Sequence, residues 1–110
     1  MNQEEALTKV KELVQSNDIV LFMKGTAEFP MCGFSGRVVQ ILNHFKRKFV
    51  SVNILEDEAL RSAVKVHANW PTIPQLYVKG EFIGGSDITS EMAQTGELEK
   101  LLNDKLGPQS

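Results

Sequence analysis

The 110-residue sequence is poor in several features that mark large protein classes. Its single cysteine excludes an internal disulfide framework, which favours a reducing compartment. No run approaches the roughly 18 apolar residues of a membrane-spanning helix, and Met1 to Glu5 lack the basic and apolar parts of a signal peptide. We therefore expect no membrane partner and a cytoplasmic location, or an organellar matrix if a presequence has been removed.

A strong excess of charge is also missing. Twelve basic and fourteen acidic side chains leave a formal net charge of −2, which argues against a nucleic-acid partner. We interpret the one basic cluster, Lys46-Arg47-Lys48, as a solvated loop rather than a phosphate-binding patch. The length and the 42% hydrophobic content suit one domain over residues 1–110. Its core is expected at about residues 3–106, followed by a short flexible tail.

Hydrophobic periodicity predicts nine elements. In chain order they are a helix at 2–15, a strand at 19–23, a helix at 33–44, a strand at 50–54, a helix at 57–67, strands at 75–78 and 81–84, and helices from 86 or 87 to 95 and at 97–106. A right-handed parallel crossover must join the first two strands, and Lys79-Gly80 marks a hairpin between the last two. The order predicts an α/β fold of thioredoxin-like architecture, with a four-stranded mixed sheet flanked by helices.

Cys32 is the main candidate for chemistry. It lies between a predicted strand and a helix that begins at Gly33, so its sulfur faces the unpaired N–H groups of the first helical turn. Such a position lowers the pKa of a thiol and favours the thiolate. Without that context, a lone cysteine is more often a buried, inert residue. Ser35 stands where a Cys-x-x-Cys pair would have its second thiol.

Four motifs resemble those of the monothiol glutaredoxins. They are Met23-Lys24-Gly25-Thr26, Cys32-Gly33-Phe34-Ser35, Trp70-Pro71-Thr72-Ile73-Pro74-Gln75-Leu76 and Gly84-Gly85-Ser86-Asp87. They occur in the family's order and at similar spacing, and the likeness covers nearly the whole chain. The resemblance implies a glutaredoxin fold in which Cys32 is both the catalytic and the cluster-ligating thiolate.

The resemblance also implies a glutathione site. Lys24 and Arg61 would contact the glycine carboxylate, the backbone of Ile73 beside a cis Pro74 would pair with the peptide, and Ser86 and Asp87 would receive the γ-glutamyl end. The implied cofactor-binding set is Lys24, Cys32, Phe34, Arg61, Thr72, Ile73, Pro74, Gly85, Ser86 and Asp87. Many relatives have cysteine where this chain has Ser86, so an internal disulfide at that place is impossible here.

Structural alternatives exist for most of these residues. Lys24 would be an ordinary lysine at a strand end, Arg61 would pair with Asp57 four residues earlier, and Gly84 to Asp87 would form a turn and a helix cap. Trp70 is expected to pack near the site and His67 to lie on the surface.

The ligand count of an iron–sulfur cluster gives the main functional prediction. A 2Fe–2S cluster normally needs four sulfur ligands. Two chains and two glutathione molecules would supply them, so the resemblance implies a cluster-bridged homodimer that delivers 2Fe–2S to apo iron–sulfur proteins. The loop from Gly25 to Met31 is longer than the loop typical of dithiol glutaredoxins. The resemblance implies that this insertion, with a tight turn at Gly33, accompanies cluster transfer. A scaffold protein and a BolA-type protein are the other implied partners.

Two alternatives stay open. In the first, the protein is a glutathione-dependent oxidoreductase in which Cys32 attacks a glutathionylated protein and a second glutathione releases the enzyme. In the second, it is a thioredoxin-fold adaptor in which Cys32 is incidental. We expect the carrier to have at most weak glutathione-disulfide oxidoreductase activity, so whether it is an enzyme stays open.

Overall fold

The computed structural model describes Met1–Pro108; Gln109 and Ser110, which belong to the tail expected to be flexible, lie outside the described residues. The elements are α1 (Gln3–Ser16), β1 (Ile19–Met23), α2 (Gly33–His44), β2 (Val50–Asn53), a short 3-10 helix (Ile54–Glu56), α3 (Glu58–Ala68), β3 (Gln75–Val78), β4 (Glu81–Gly84), α4 (Ser86–Thr95) and α5 (Glu97–Leu106). The predicted order of helices and strands is confirmed. None of the helices within residues 1–108 has the length and apolar character that crossing a bilayer requires.

The four strands form one mixed sheet in the order β2-β1-β3-β4. β1 pairs with β2 in parallel and with β3 antiparallel, where Phe22 lies opposite Gln75. The α/β, thioredoxin-like fold class is therefore confirmed. Because β3 runs against β1, the segment that precedes Gln75 lies at the same end of the sheet as the loop that follows Met23. This end of the sheet carries the candidate site.

The five apolar residues of β1 are all buried because both faces of the sheet are covered. Val20 and Phe22 pack with Tyr77 against α1 and α3. The opposite face packs against α2 and α5 and comprises Ile19, Leu21, Met23, Leu76 and Val78. Two hydrophobic cores on either side of the sheet hold β1 and β3 rigidly in place.

Three details differ from the sequence interpretation. Ile54 ends no strand but begins the 3-10 helix, because the Asn53 side chain accepts the N–H of Leu55 at 3.0 Å. The hydrophobic periodicity of the sequence assigns Phe34 to one apolar stripe of α2 with Val38 and Leu42, but Phe34 is 64% exposed in the first helical turn. His67 is partly buried rather than at the surface, with its ring 5.7 Å from that of Tyr77.

Candidate functional site

The loop between β1 and α2 is closed by its own backbone. Gly25 and Pro30 form a β-bridge, and the Met31 N–H donates to the carbonyl of Lys24 at 2.9 Å. Gly25 has a φ of +89°, and a Cβ there would lie 2.6 Å from both the Met31 nitrogen and the Phe29 oxygen. Only glycine fits at such a position. The loop therefore delivers the chain to Cys32 in a defined direction.

Cys32 is the N-cap residue of α2 and is partly exposed. Its pKa is lowered first by the backbone N–H of Ser35, and further by the Phe34 N–H, the Ser35 hydroxyl and the charge of Lys24, against an opposing desolvation. In the part of the chain that the structure describes, no N–H caps the sulfur with regular hydrogen-bond geometry. The N–H dipoles of the first turn thus act on the thiolate electrostatically, as expected at a helix N-terminus.

Ser35 occupies the position of the absent second thiol and is fully buried. Its Oγ accepts the backbone N–H of Lys24 at 3.1 Å. This hydrogen bond joins the start of α2 to the residue that follows β1. Ser35 therefore keeps Lys24 beside Cys32, a structural role that the motif alone does not reveal.

Gly33, the residue after Cys32, needs no special conformation. Its φ lies outside the left-handed region, and a Cβ there would meet no atom within 4 Å. The strained glycine of this region is Gly25 instead. The tight turn thus lies at the beginning of the loop, and α2 begins in ordinary helical geometry.

A groove of about 590 Å³ opens beside Cys32, within the size range of small-ligand sites. All ten residues of the predicted cofactor-binding set line it. They come from the β1–α2 loop, the first turn of α2, α3, the segment before β3 and the start of α4. Four further residues line it as well: Lys65, Trp70, Pro71 and Ile88. The structure thus brings together residues that lie up to 64 positions apart, from Lys24 to Ile88.

The groove carries an excess of positive charge. Lys24, Arg61 and Lys65 line it, against the single carboxylate of Asp87. Salt bridges within residues 1–108 leave all three cations without a carboxylate partner. Lys65 was missed by the sequence analysis, although its position four residues after Arg61 puts both on one face of α3. The groove is electrostatically suited to an anion with at least one carboxylate.

The ion pair between Asp57 and Arg61, the structural alternative for Arg61, does not form. The Asp57 side chain caps α3 by accepting the Leu60 N–H at 3.0 Å, and it lies 3.7 Å from the amino group of Met1. These contacts also lower the pKa of Asp57, first through the Leu60 N–H. Arg61 therefore keeps its charge available to the groove.

Two polar groups of the groove are buried without a hydrogen-bond partner among the described residues. They are the indole N–H of Trp70 and the hydroxyl of Ser86. Gly85 lies between them, because a Cβ there would be 3.2 Å from the Pro74 oxygen and 3.7 Å from the Trp70 nitrogen. Buried polar groups of native proteins normally have partners, so these two favour a polar ligand here. Trp70 is thus more than the packing residue that the sequence suggested.

The segment from Trp70 to Pro74 forms another wall of the groove. The Ile73–Pro74 peptide bond is cis, as the resemblance implied. Beneath this segment lies Gln75, which is fully buried, and its Nε2 donates to the carbonyls of Trp70 and Thr72 at 3.1 and 3.2 Å. The backbone of this wall is therefore fixed from the core side.

Comparison with known proteins gives a consistent result. Residues 19–83 match the family model described as glutaredoxin. The chain is 49% identical over 105 residues to the probable monothiol glutaredoxin 2 of Rickettsia typhi, covering 96% of this chain and 95% of that protein. The solution structure of reduced poplar apo GrxS14 superposes with a TM-score of 0.81 at 52% identity, covering 90% of this chain and 91% of that one.

A third relative is longer. The chain is 58% identical over 91 residues to the chloroplastic monothiol glutaredoxin-S14 of Arabidopsis thaliana. The match takes in 83% of this chain but 53% of that protein, so the chain spans about half the length of this relative.

Proposed function

Because the chain belongs to the monothiol glutaredoxin family, we propose that it is a glutathione-dependent carrier of 2Fe–2S clusters. The observation that carries the proposal is that the single thiol of the chain lies beside a groove suited to glutathione. Cys32, whose pKa is lowered, opens onto a cationic groove of about 590 Å³. The whole sequence holds no second cysteine, so the remaining sulfur ligands of a cluster must come from other molecules.

Glutathione fits the chemistry of this groove. Its glycine carboxylate would lie among Lys24, Arg61 and Lys65, where three cations have no carboxylate partner within residues 1–108. Its γ-glutamyl end would lie at the start of α4, where the N–H groups of a helix N-terminus favour a carboxylate. The tripeptide's thiol would then lie beside Cys32, at the open end of the groove.

The surface around Cys32 favours a second protein. Phe29, Met31 and Phe34 are 80%, 72% and 64% exposed, and all lie within three residues of Cys32 in the chain. Exposed apolar side chains grouped in this way mark protein contacts. A second copy that covers them would bring two Cys32 thiolates and two glutathione thiols together, which gives the four ligands of one 2Fe–2S cluster.

Delivery of the cluster requires this contact to be exchangeable. Two of the four ligands would belong to glutathione, which can dissociate, and the same exposed face would contact the scaffold, an apo iron–sulfur protein or a BolA-type partner in turn. Such a role needs a compartment that keeps Cys32 reduced, and the cytosol fits that requirement.

A second function is favoured by the lowered pKa of Cys32. The Cys32 thiolate would attack the glutathione sulfur of a glutathionylated protein, which releases the protein thiolate and leaves glutathione bonded to Cys32. A glutathione thiolate would then attack that glutathione sulfur, releasing Cys32 and glutathione disulfide. One thiol suffices for both steps, so we expect this reaction as a weaker activity of the same site.

Anaerobic reconstitution tests the carrier function. The protein is mixed with ferrous iron, sulfide and glutathione, and the visible spectrum and the native mass are recorded. A coloured dimer that loses its cluster when glutathione is removed supports the proposal. A colourless monomer with rapid glutathione-disulfide turnover would replace it with the oxidoreductase function. The Cys32→Ser variant should lose the cluster, and a variant that retains it would refute the ligand assignment.

A further inference from the structure

Gln75 is a fully buried polar residue that none of the proposed steps uses. It begins β3 and lies opposite Phe22 of β1, on the face of the sheet that also carries Tyr77. Its Oε1 accepts the Tyr77 hydroxyl at 3.4 Å, and its Nε2 donates two hydrogen bonds to the segment above it. All the polar atoms of this amide therefore have partners, and both donors are directed at the groove wall.

The hydrogen bond from Gln75 to the Thr72 carbonyl determines the direction of the Ile73 N–H. The carbonyl of Thr72 and the N–H of Ile73 belong to the same peptide unit, which is planar and trans, so the two groups point in opposite directions. Because Gln75 holds the Thr72 carbonyl towards the core at 3.2 Å, the Ile73 N–H points away from the core. Ile73 lines the groove, and its N–H is thus presented to the ligand.

The bond to Trp70 has a different consequence. The carbonyl of Trp70 precedes Pro71, which has no N–H. This bond therefore turns no N–H donor towards the groove. It anchors the segment at Trp70, where the distance from Gln75 Nε2 to the carbonyl oxygen is 3.1 Å. One amide side chain thus fixes both ends of the Trp70–Thr72 stretch, and only one of its bonds orients a groove-facing donor.

We propose that Gln75 is a positioning residue for glutathione, because it fixes the peptide whose N–H, that of Ile73, contacts the tripeptide backbone. This inference rests on the proposed function, which supplies glutathione as the ligand. An extended peptide pairs with such a fixed donor as it would with a neighbouring strand. If the Trp70–Pro74 segment were mobile in the free protein, glutathione would bind more weakly, because ordering the segment on binding costs free energy.

Two near-isosteric variants test the proposal by titration calorimetry with reduced glutathione. Gln75→Met removes both donors at every pH. Gln75→Glu loses them when ionised, but its protonated form has one O–H donor, which can reach one carbonyl again. We expect both variants to bind glutathione about tenfold more weakly than wild type near pH 8. As the pH falls, the ratio of the variant's dissociation constant for glutathione to that of wild type should shrink for Gln75→Glu. The same ratio should stay constant for Gln75→Met.

Loss of stability alone would not give this pattern. Leu102→Ala removes a buried side chain of α5 from the opposite core and serves as a control with a large stability loss but unchanged glutathione affinity. The pH dependence of Cys32 alkylation should be the same in Gln75→Met as in wild type, since this variant adds no charge and the N–H donors that act on the sulfur belong to α2. The amide resonance of Ile73 should shift in both variants before any ligand is added.

The outcomes separate the two proposals. A wild-type protein that binds no glutathione overturns the proposed function, and this inference with it. Wild-type binding together with unaltered affinity in Gln75→Met, or a pH-independent defect in Gln75→Glu, overturns the inference about Gln75 alone.

Discussion

The hydroxyl of Ser35 accepts the backbone N–H of Lys24 at 3.1 Å, and this bond joins the first turn of α2, next to the thiol, to the residue that follows β1. Ser35 is fully buried, so its hydroxyl has no access to water in place of this bond. The position that holds a resolving thiol in a Cys-x-x-Cys pair thus has a structural function here, and its hydroxyl also helps to lower the pKa of Cys32.

Replacing Ser35 by alanine should therefore affect both stability and the thiol. We expect a loss of about 1–3 kcal/mol in the free energy of unfolding, because the Lys24 N–H is left without a partner. The pKa of Cys32 should rise part of the way to its ordinary value, since the hydroxyl is lost but the Ser35 backbone N–H remains. Urea denaturation and the pH profile of alkylation measure the two effects. Ser62→Ala, at an exposed site of α3, is the control and should change neither.

Lys24 should contribute to glutathione affinity through its charge. Lys24→Met is expected to weaken binding about fivefold at low ionic strength, and less in high salt, because screening reduces the lost attraction. Lys9→Met removes the same charge from an exposed site of α1 and should leave the dissociation constant unchanged. Equal effects of the two variants would show that Lys24 acts only through the net charge of the protein.

The two glycines near the thiol should respond oppositely to alanine. Gly25→Ala is expected to cost about 2 kcal/mol or more, because φ is +89° and the new Cβ would clash with backbone atoms. Gly33→Ala should be neutral or stabilise by up to about 1 kcal/mol, since its site is open and helical. Thermal unfolding of both variants measures the difference. A stable Gly25→Ala protein would contradict the loop geometry described above.

Cys32 should make stability depend on pH below about 9. Its pKa in the folded protein lies below the ordinary value of 9.0. Between these two values the folded thiol is ionised and the unfolded thiol is protonated. The free energy of unfolding therefore increases as the pH rises to about 9, and this increase is lost as the pH falls through the folded pKa. The difference in unfolding free energy between wild type and Cys32→Ser should grow over that window. A constant difference would show that Cys32 titrates as in the unfolded chain.

Much of the fold and the composition of the groove could be predicted from the sequence. The five apolar residues Ile19–Met23 and the Lys79-Gly80 turn are local signals, and the element order leaves few ways to pair the strands. The four motifs contain nine of the ten residues that were expected to line one groove, and the family resemblance added Arg61 outside them; the structure places all ten at that groove.

The details that were missed depend on contacts between distant residues. Asn53 converts the end of a strand into a 3-10 helix because its side chain accepts the N–H of both Gly25 and Leu55 at 3.0 Å. The role of Gln75 depends on carbonyls that only the folded segment places above it. Lys65 enters the groove because α3 packs at its edge. Periodicity and motif spacing contain none of these distances.

The antiparallel register of Phe22 with Gln75 has a consequence for the whole site. Side chains alternate along a strand, so a slip of β3 by one position against β1 would exchange Gln75 and Leu76 between the two faces of the sheet. The amide would then lie in an apolar core and the groove wall above it would lose its anchor. The pairing of β1 with β3 thus sets the position of Cys32 relative to the Trp70–Pro74 segment. A change in this register would alter the distance between the thiol and the groove wall.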